Sequence, residues 1–268
     1  MTERIPLTLR GRRFAYTDTG GAGTPVVALH GVFGSALDFA EIGALLAPDY
    51  RLVALDQRGH GLSEHGGDFG RDAFVGDAAA FVAHLGLAPA IVLGHSLGGV
   101  TAYQLAARHP GLVRALVVAD IGAVTDGSEL DHPVLDITDW PRTAPSRDAL
   151  ARFLADRDMP ALGYFMASAY DDGAGWRMRF DHDDMMAAQH GNSGDWWSDW
   201  LAAAQPALLV RGERSMLLSE RQAQAMVRRR PGTRLRELPG CGHWVHRDDP
   251  AGFVLAVRAF LDGLARTG

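Results

Sequence analysis

One string restricts the architecture of this chain more than any other feature. It is Gly94-His95-Ser96-Leu97-Gly98-Gly99, set between an apolar run, Ala90-Ile91-Val92-Leu93, and a stretch of helical character over about Leu97–His109. A Gly-x-Ser-x-Gly string is moderately common by chance, so its meaning comes from its place at a strand-to-helix junction. A sharp turn there forces the serine into a strained backbone conformation, and small neighbours are needed for the backbones to pass closely. It also leaves Ser96 at a helix N-terminus, where free N–H groups and the helix dipole favour developing negative charge. The competing reading is a glycine-rich turn that serves packing alone.

The rest of the chain supplies a frame for such a junction. Short strands are expected at Ile5–Leu9 and Arg12–Thr17, and continuous apolar runs at Pro25–His30, Arg51–Asp56, Ala90–Gly94 and Val113–Asp120. Runs that are apolar throughout, rather than alternating, belong to parallel strands buried on both faces. Helical stretches at about Ala36–Leu46, Arg71–Leu85 and Leu97–His109 alternate with them, which implies βαβ units and a mostly parallel sheet with helices on both sides. From Ile121 to Ala204 the rhythm breaks, and five of the six tryptophans fall there: Trp140, Trp176, Trp196, Trp197 and Trp200. Strands at Pro206–Gly212 and Thr233–Leu238 and helices at about Ser219–Arg230 and Pro250–Leu264 then resume the pattern. The expected organisation is an α/β core of residues 1–120 and 205–268, with residues 121–204 inserted as a helical cap.

Composition narrows the function classes. The 268 residues are 47% hydrophobic and 22% charged, with a net charge of −6, as in an ordinary globular enzyme. A mildly acidic chain is a poor partner for nucleic acid, and no apolar stretch approaches the ~18 residues of a membrane span. The N-terminal Met1–Pro6 segment has no apolar signal-peptide core, so a soluble cytoplasmic protein, monomeric or homodimeric, is the expectation. Cys241 is the only cysteine and reads as a small filler; Arg228-Arg229-Arg230 reads as the solvated end of a helix. Asp181-His182-Asp183-Asp184 lacks a second group of ligands, so no metal and no cofactor are expected.

Two further loops face the same sheet edge as Ser96. His30-Gly31-Val32-Phe33-Gly34-Ser35 follows one strand, and its backbone N–H at Val32, with that of Leu97, is the expected oxyanion hole for acyl transfer. His30 itself is read as a loop-holding residue. Pro239-Gly240-Cys241-Gly242-His243-Trp244 follows the last strand and can return an imidazole over the Ser96 turn, so His243 is the candidate base; His246 is its rival.

Together with Asp56-Gln57-Arg58-Gly59-His60-Gly61-Leu62-Ser63, these ordered motifs resemble the α/β-hydrolase superfamily over nearly the whole chain apart from the cap. The resemblance implies a catalytic acid in the order Ser…Asp/Glu…His and a mainly structural role for the Asp56–His60 loop. The family's usual acid position, three residues past the glycine that closes the penultimate strand, holds Ser215 here. A hydroxyl cannot supply the charge that stabilises an imidazolium. Three arrangements remain open: Asp120 at the end of the strand after the Ser96 helix, Glu213, or a dyad with no acid. Asp120 is preferred because a subgroup resembling (E)-2-(acetamidomethylene)succinate hydrolase places its acid there and carries a stretch like Arg211-Gly212-Glu213-Arg214-Ser215.

The expected activity is cofactor-independent hydrolysis of a carboxylic ester, or of a related lactone, thioester or amide, through Ser96, His243 and Asp120. A lyase or perhydrolase on the same frame, and a ligand receptor on a hydrolase scaffold, are the alternatives. The partner is a small-molecule substrate, with Phe33, Trp140, Tyr164, Trp176 and Trp244 as candidate pocket residues. Arg142, Arg147, Arg152, Arg157, Arg177 and Arg179 could include a clamp for a substrate carboxylate, although the aspartates Asp156, Asp158, Asp171, Asp172, Asp181, Asp183 and Asp184 favour surface ion pairing instead.

Overall fold

The computed structural model describes residues 3–157 and 159–265; Asp158, and Met1 and Thr2 of the N-terminal segment, lie outside the described residues. The strands are β1 (Ile5–Leu9), β2 (Arg12–Asp18), β3 (Thr24–Leu29), β4 (Tyr50–Leu55), β5 (Ala90–His95), β6 (Val113–Ala119), β7 (Ala169–Asp171), β8 (Trp176–Met178), β9 (Ala207–Gly212) and β10 (Thr233–Leu238). The helices are α1 (Ala40–Leu46), α2 (Arg71–His84), α3 (Leu97–Arg108), α4 (Arg147–Ala155), α5 (Leu162–Met166), α6 (His182–Asn192), α7 (Trp197–Ala202), α8 (Glu220–Arg229), α9 (Val245–Asp248) and α10 (Pro250–Ala265). The helix expected from Ala36 begins instead as a 3₁₀ turn, Ala36–Phe39, that leads into α1.

Eight strands form one sheet in the order β1-β2-β4-β3-β5-β6-β9-β10. From β4 onward neighbours are parallel, whereas β1, β2 and β4 pair antiparallel. The central strands are apolar throughout because both faces are covered. Along β3, Val27 and Leu29 point into the layer of α2 and α3, with Phe81 and Tyr103, while Val26 and Ala28 point toward Ile42, Leu46 and Phe253 of α1 and α10. Each fully buried aliphatic side chain in these layers contributes about 1.5–3 kcal/mol.

Between β6 and β9 the described residues form four helices and, unanticipated from sequence, the two-stranded antiparallel hairpin β7-β8. A separate apolar cluster forms here around Trp140, Phe165, Phe180 and Met185, and Phe33 from the core loop inserts into it. Helix α7 packs on α3: Trp200 is fully buried, edge-on to Tyr103 at 5.6 Å, with its indole N–H donated to Met226 C=O at 3.1 Å.

One expectation fails. Arg230 is not part of a solvated run; it is buried, donating from Nε to Ala203 C=O at 2.6 Å and from Nη1 to Thr233 Oγ1 at 2.9 Å. The chain's return from α7 to β9 leaves carbonyls without sheet partners, and the guanidinium satisfies them. Burial lowers its pKa to about 10, which leaves it charged.

Candidate active site

The turn after β5 is built by glycines for a steric reason. A Cβ on Gly94 would lie 2.1 Å from Gly98 O, and one on Gly98 would lie 2.0 Å from Leu29 O. With those backbones in contact, Ser96 adopts φ 53°, ψ −121° at the head of α3. A non-glycine residue there is strained, and such strain survives only where the surroundings impose it. Asp120, at the end of the adjacent β6, also has a positive φ of 51°.

Asp120 is completely buried and accepts three hydrogen bonds. Gly212 N–H donates to Oδ1 at 2.8 Å, Ser215 Oγ–H to Oδ2 at 2.5 Å, and His243 Nδ1–H to Oδ2 at 2.9 Å. The last of these leaves the lone pair of His243 on Nε2. Ser215 Oγ in turn accepts from the N–H groups of Leu217 and Leu218, at 3.1 and 3.0 Å, so its hydroxyl proton is free only for Asp120. The serine at the family's usual acid position therefore touches the Asp120 carboxylate.

The loop carrying His243 is fixed from below. His95 Nε2–H donates to His243 C=O at 2.9 Å, and the two rings lie 4.6 Å apart. Burial first, and the neighbouring imidazoles next, hold the His95 pKa well below the ordinary value, so it packs as a neutral ring. His246 is buried against His95 and Phe39, and burial lowers its pKa to about 3; it does not line the cavity that holds Ser96. Glu213 is exposed and accepts from Gly240 N–H at 2.6 Å, away from either imidazole nitrogen.

Opposite Ser96, the loop from Gly31 is braced by His30. Gln57 N–H donates to His30 Nε2 at 3.0 Å, which places the ring proton on Nδ1, where it donates to Gly31 C=O at 2.7 Å. Asp56 is likewise spent on structure, accepting from Ala36 N–H at 2.7 Å and Leu62 N–H at 2.9 Å and pairing with Arg4. Among the described residues, no backbone hydrogen bond between loops and turns uses Val32 N–H or Leu97 N–H. Val32 C=O accepts from Tyr164 O–H of α5 at 2.7 Å, which ties α5 to this loop.

Ser96, His243 and Val32 line one cavity of about 640 Å³. Among the described residues no hydrogen bond joins Ser96 Oγ to His243 Nε2; in sites of this kind that contact tightens once substrate is bound. Phe33, Tyr164 and Trp244 line the same cavity, whereas Trp140 and Trp176 do not. Trp140 is stacked behind Phe33 at 6.3 Å and edge-on to Phe165 at 5.5 Å, and Trp176 exchanges backbone hydrogen bonds with Ala144 at the rim of the hairpin. The remaining wall comes largely from residues 121–136, with Gln189, Asn192, Met216 and Leu217, none of which carries a sequence signal.

The arginines of the inserted segment lie elsewhere. Arg142, Arg177 and Arg179 border a second, open cleft of about 1290 Å³ beside Arg4 and His65. They are engaged there: Arg142 with Asp181, Arg177 with Asp172, and Arg179 over the Tyr170 ring at 4.2 Å. Asp181 caps α6 by accepting from Asp183 N–H at 2.8 Å and Asp184 N–H at 3.2 Å, which accounts for the acidic run. Among the described residues no helix is long and apolar enough to cross a membrane.

The sheet order, the strained serine between β5 and α3 and the histidine after β10 define an α/β-fold hydrolase. In agreement, the model of the alpha/beta hydrolase fold family matches residues 24–250, and the chain belongs to that family. It is 30% identical over 250 residues to an sn-1-specific diacylglycerol lipase of Mus musculus, covering 88% of this chain and 80% of that one. It is 29% identical over 250 residues to 2-(acetamidomethylene)succinate hydrolase of Mesorhizobium japonicum, covering 90% and 89%. A crystal structure of E-2-(acetamidomethylene)succinate hydrolase superposes with a TM-score of 0.88 at 25% identity, covering 98% of this chain and all of that one.

Proposed function

We propose that this protein is a cofactor-independent serine hydrolase of carboxylic esters or related acyl bonds in a small-molecule substrate, with Ser96 as nucleophile, His243 as base and Asp120 as acid. Residues 121–204, apart from α7, which packs on α3 of the core, act as its cap. The observation that carries the reading is the 2.9 Å contact between His243 Nδ1 and Asp120 Oδ2, made beside a strained Ser96 in the same cavity.

In this mechanism Ser96 Oγ attacks the substrate carbonyl carbon while His243 Nε2 takes the hydroxyl proton. The oxygen that becomes anionic is met by the N–H groups of Val32 and Leu97. Asp120 holds the Nδ1–H tautomer and stabilises the imidazolium, and its own hydrogen bonds to Gly212 and Ser215 keep it fixed. The C–O bond to the leaving group breaks as His243 returns the proton to it. Water, deprotonated by His243, then attacks the acyl-enzyme, and Ser96 regains its proton as the acid departs.

The test combines p-nitrophenyl butyrate turnover with labelling by an alkyl fluorophosphonate, read as the mass of the intact protein. Wild type should hydrolyse the ester and gain one label. Ser96→Ala should do neither; labelling or turnover that persists in this variant would remove Ser96 as the nucleophile.

A further inference from the structure

We propose that the Ser96 cavity selects an uncharged, largely apolar acyl group and rejects one that carries a carboxylate. The inference rests on the acyl-transfer reading above and names the substrate class for that site. It also separates this chain from the relatives whose name specifies a succinate, a dicarboxylate.

A buried carboxylate needs a cation or several free donors, because its desolvation is otherwise uncompensated. The chain contains no lysine, so its 26 basic residues are all arginines, and no arginine lines the cavity among the described residues. Arg142, Arg177 and Arg179 border the other cleft, Arg157 pairs with Asp139 at 2.9 Å, and Arg147 donates to Met166 C=O at 3.4 Å. Arg71 lies behind the wall, where each of its three nitrogens already donates, to Gln104, Asn192 Oδ1 and Thr101 at 2.8, 3.2 and 2.7 Å.

Two polar side chains of the wall, Gln189 and Thr125, are similarly engaged, and His132, which also lines the cavity, is exposed. Gln189 is used at both ends, accepting from Leu135 N–H at 2.7 Å and donating to Leu135 C=O at 3.0 Å. Thr125 donates its hydroxyl to Asn192 C=O at 2.5 Å. What the cavity offers instead is the apolar surface of Ile121, Leu130, Val134, Met159 and Leu217. Asp136, exposed at its edge, adds repulsion: the backbone N–H and hydroxyl of Thr138, at 2.9 and 2.7 Å, hold its carboxyl below the usual range and hence ionised.

The experiment compares kcat/KM for two esters of equal chain length, p-nitrophenyl hexanoate and the p-nitrophenyl half-ester of adipic acid, which differ by a terminal carboxylate. In wild type the hexanoate should be favoured by about 100-fold, and a preference below about tenfold overturns the inference. Met216→Arg places a guanidinium at an exposed position on the cavity wall and should shrink the preference at least about fivefold. A large wild-type preference left unchanged by Met216→Arg would locate the discrimination outside this cavity and overturn the assignment. Failure to turn over either ester would remove the Ser96 reading, and this inference with it.

Discussion

Replacing Asp120 by Asn changes one atom of charge and hydrogen-bonding character at a fully buried position. The remaining oxygen can still accept from Gly212 N–H, as Oδ1 does now at 2.8 Å. The new amide then faces His243 Nδ1–H and Ser215 Oγ, where Oδ2 now accepts at 2.9 and 2.5 Å. Two donors cannot face each other, so the imidazole moves its proton to Nε2 and presents a hydrogen to Ser96 where a lone pair is needed. A wrong tautomer of this kind costs about 10⁴ in rate, which is about 5.4 kcal/mol at the barrier. The assay is kcat/KM for p-nitrophenyl butyrate, with near-ultraviolet circular dichroism to show that the variant is folded. A folded Asp120→Asn protein that keeps more than about a tenth of wild-type activity would refute the assignment and return attention to a dyad. Because Ser215 already touches Oδ2, adding Ser215→Asp supplies a carboxylate to the same edge of the imidazole. The double variant should recover at least about 10² of the lost rate. If it stays as inactive as the single variant, Ser215 is not an equivalent position for the acid.

Three other outcomes are expected. Tyr164→Phe removes the hydroxyl that donates to Val32 C=O at 2.7 Å, so kcat should fall about tenfold with little change in KM; an unchanged kcat would show that the oxyanion loop holds its shape without it. Burial raises the Asp38 pKa from 3.8 to about 6, so the folded state binds its proton more tightly than the unfolded chain does. That stabilisation is complete below about pH 4 and lost as pH rises through about 6, on the order of 3 kcal/mol, so Asp38→Asn should gain stability relative to wild type from pH 4 to 7; parallel melting-temperature profiles would contradict this. Trp200→Ala empties a fully enclosed site and leaves Met226 C=O without its indole donor, for which urea unfolding should show a loss of about 3–5 kcal/mol.

Much of this molecule was legible in local chemistry. The apolar runs of β3 to β6, the helix after Ser96 and the glycines around it act over a few residues, so periodicity and turn sterics expose them directly. The strained Ser96 turn follows from Gly94 and Gly98, whose backbones admit no Cβ. The hairpin β7-β8 was not legible, since strands of three residues carry no period. Nor was the burial of Arg230, because the carbonyls it satisfies belong to a chain segment some 25 residues away. Aromatic content alone could not separate Phe33, which reaches the cavity, from Trp140, which stands behind it.

The acid shows the division most clearly. Sequence preferred Asp120 to Glu213, beside the neutral Ser215, on a family resemblance, without showing which carboxylate reaches the imidazole. The choice lies in β6 and β9 being neighbours, with Asp120 N–H donating to Val210 C=O at 2.8 Å. That register brings Gly212 and Ser215 onto the Asp120 carboxylate and turns Glu213 outward to Gly240. The sequence by itself determined which residues can strain, cap or carry charge, because those properties reside in each side chain and its immediate neighbours. Which carboxylate meets His243, across 123 residues, was decided by sheet order and register, and these exist only once the whole core has packed.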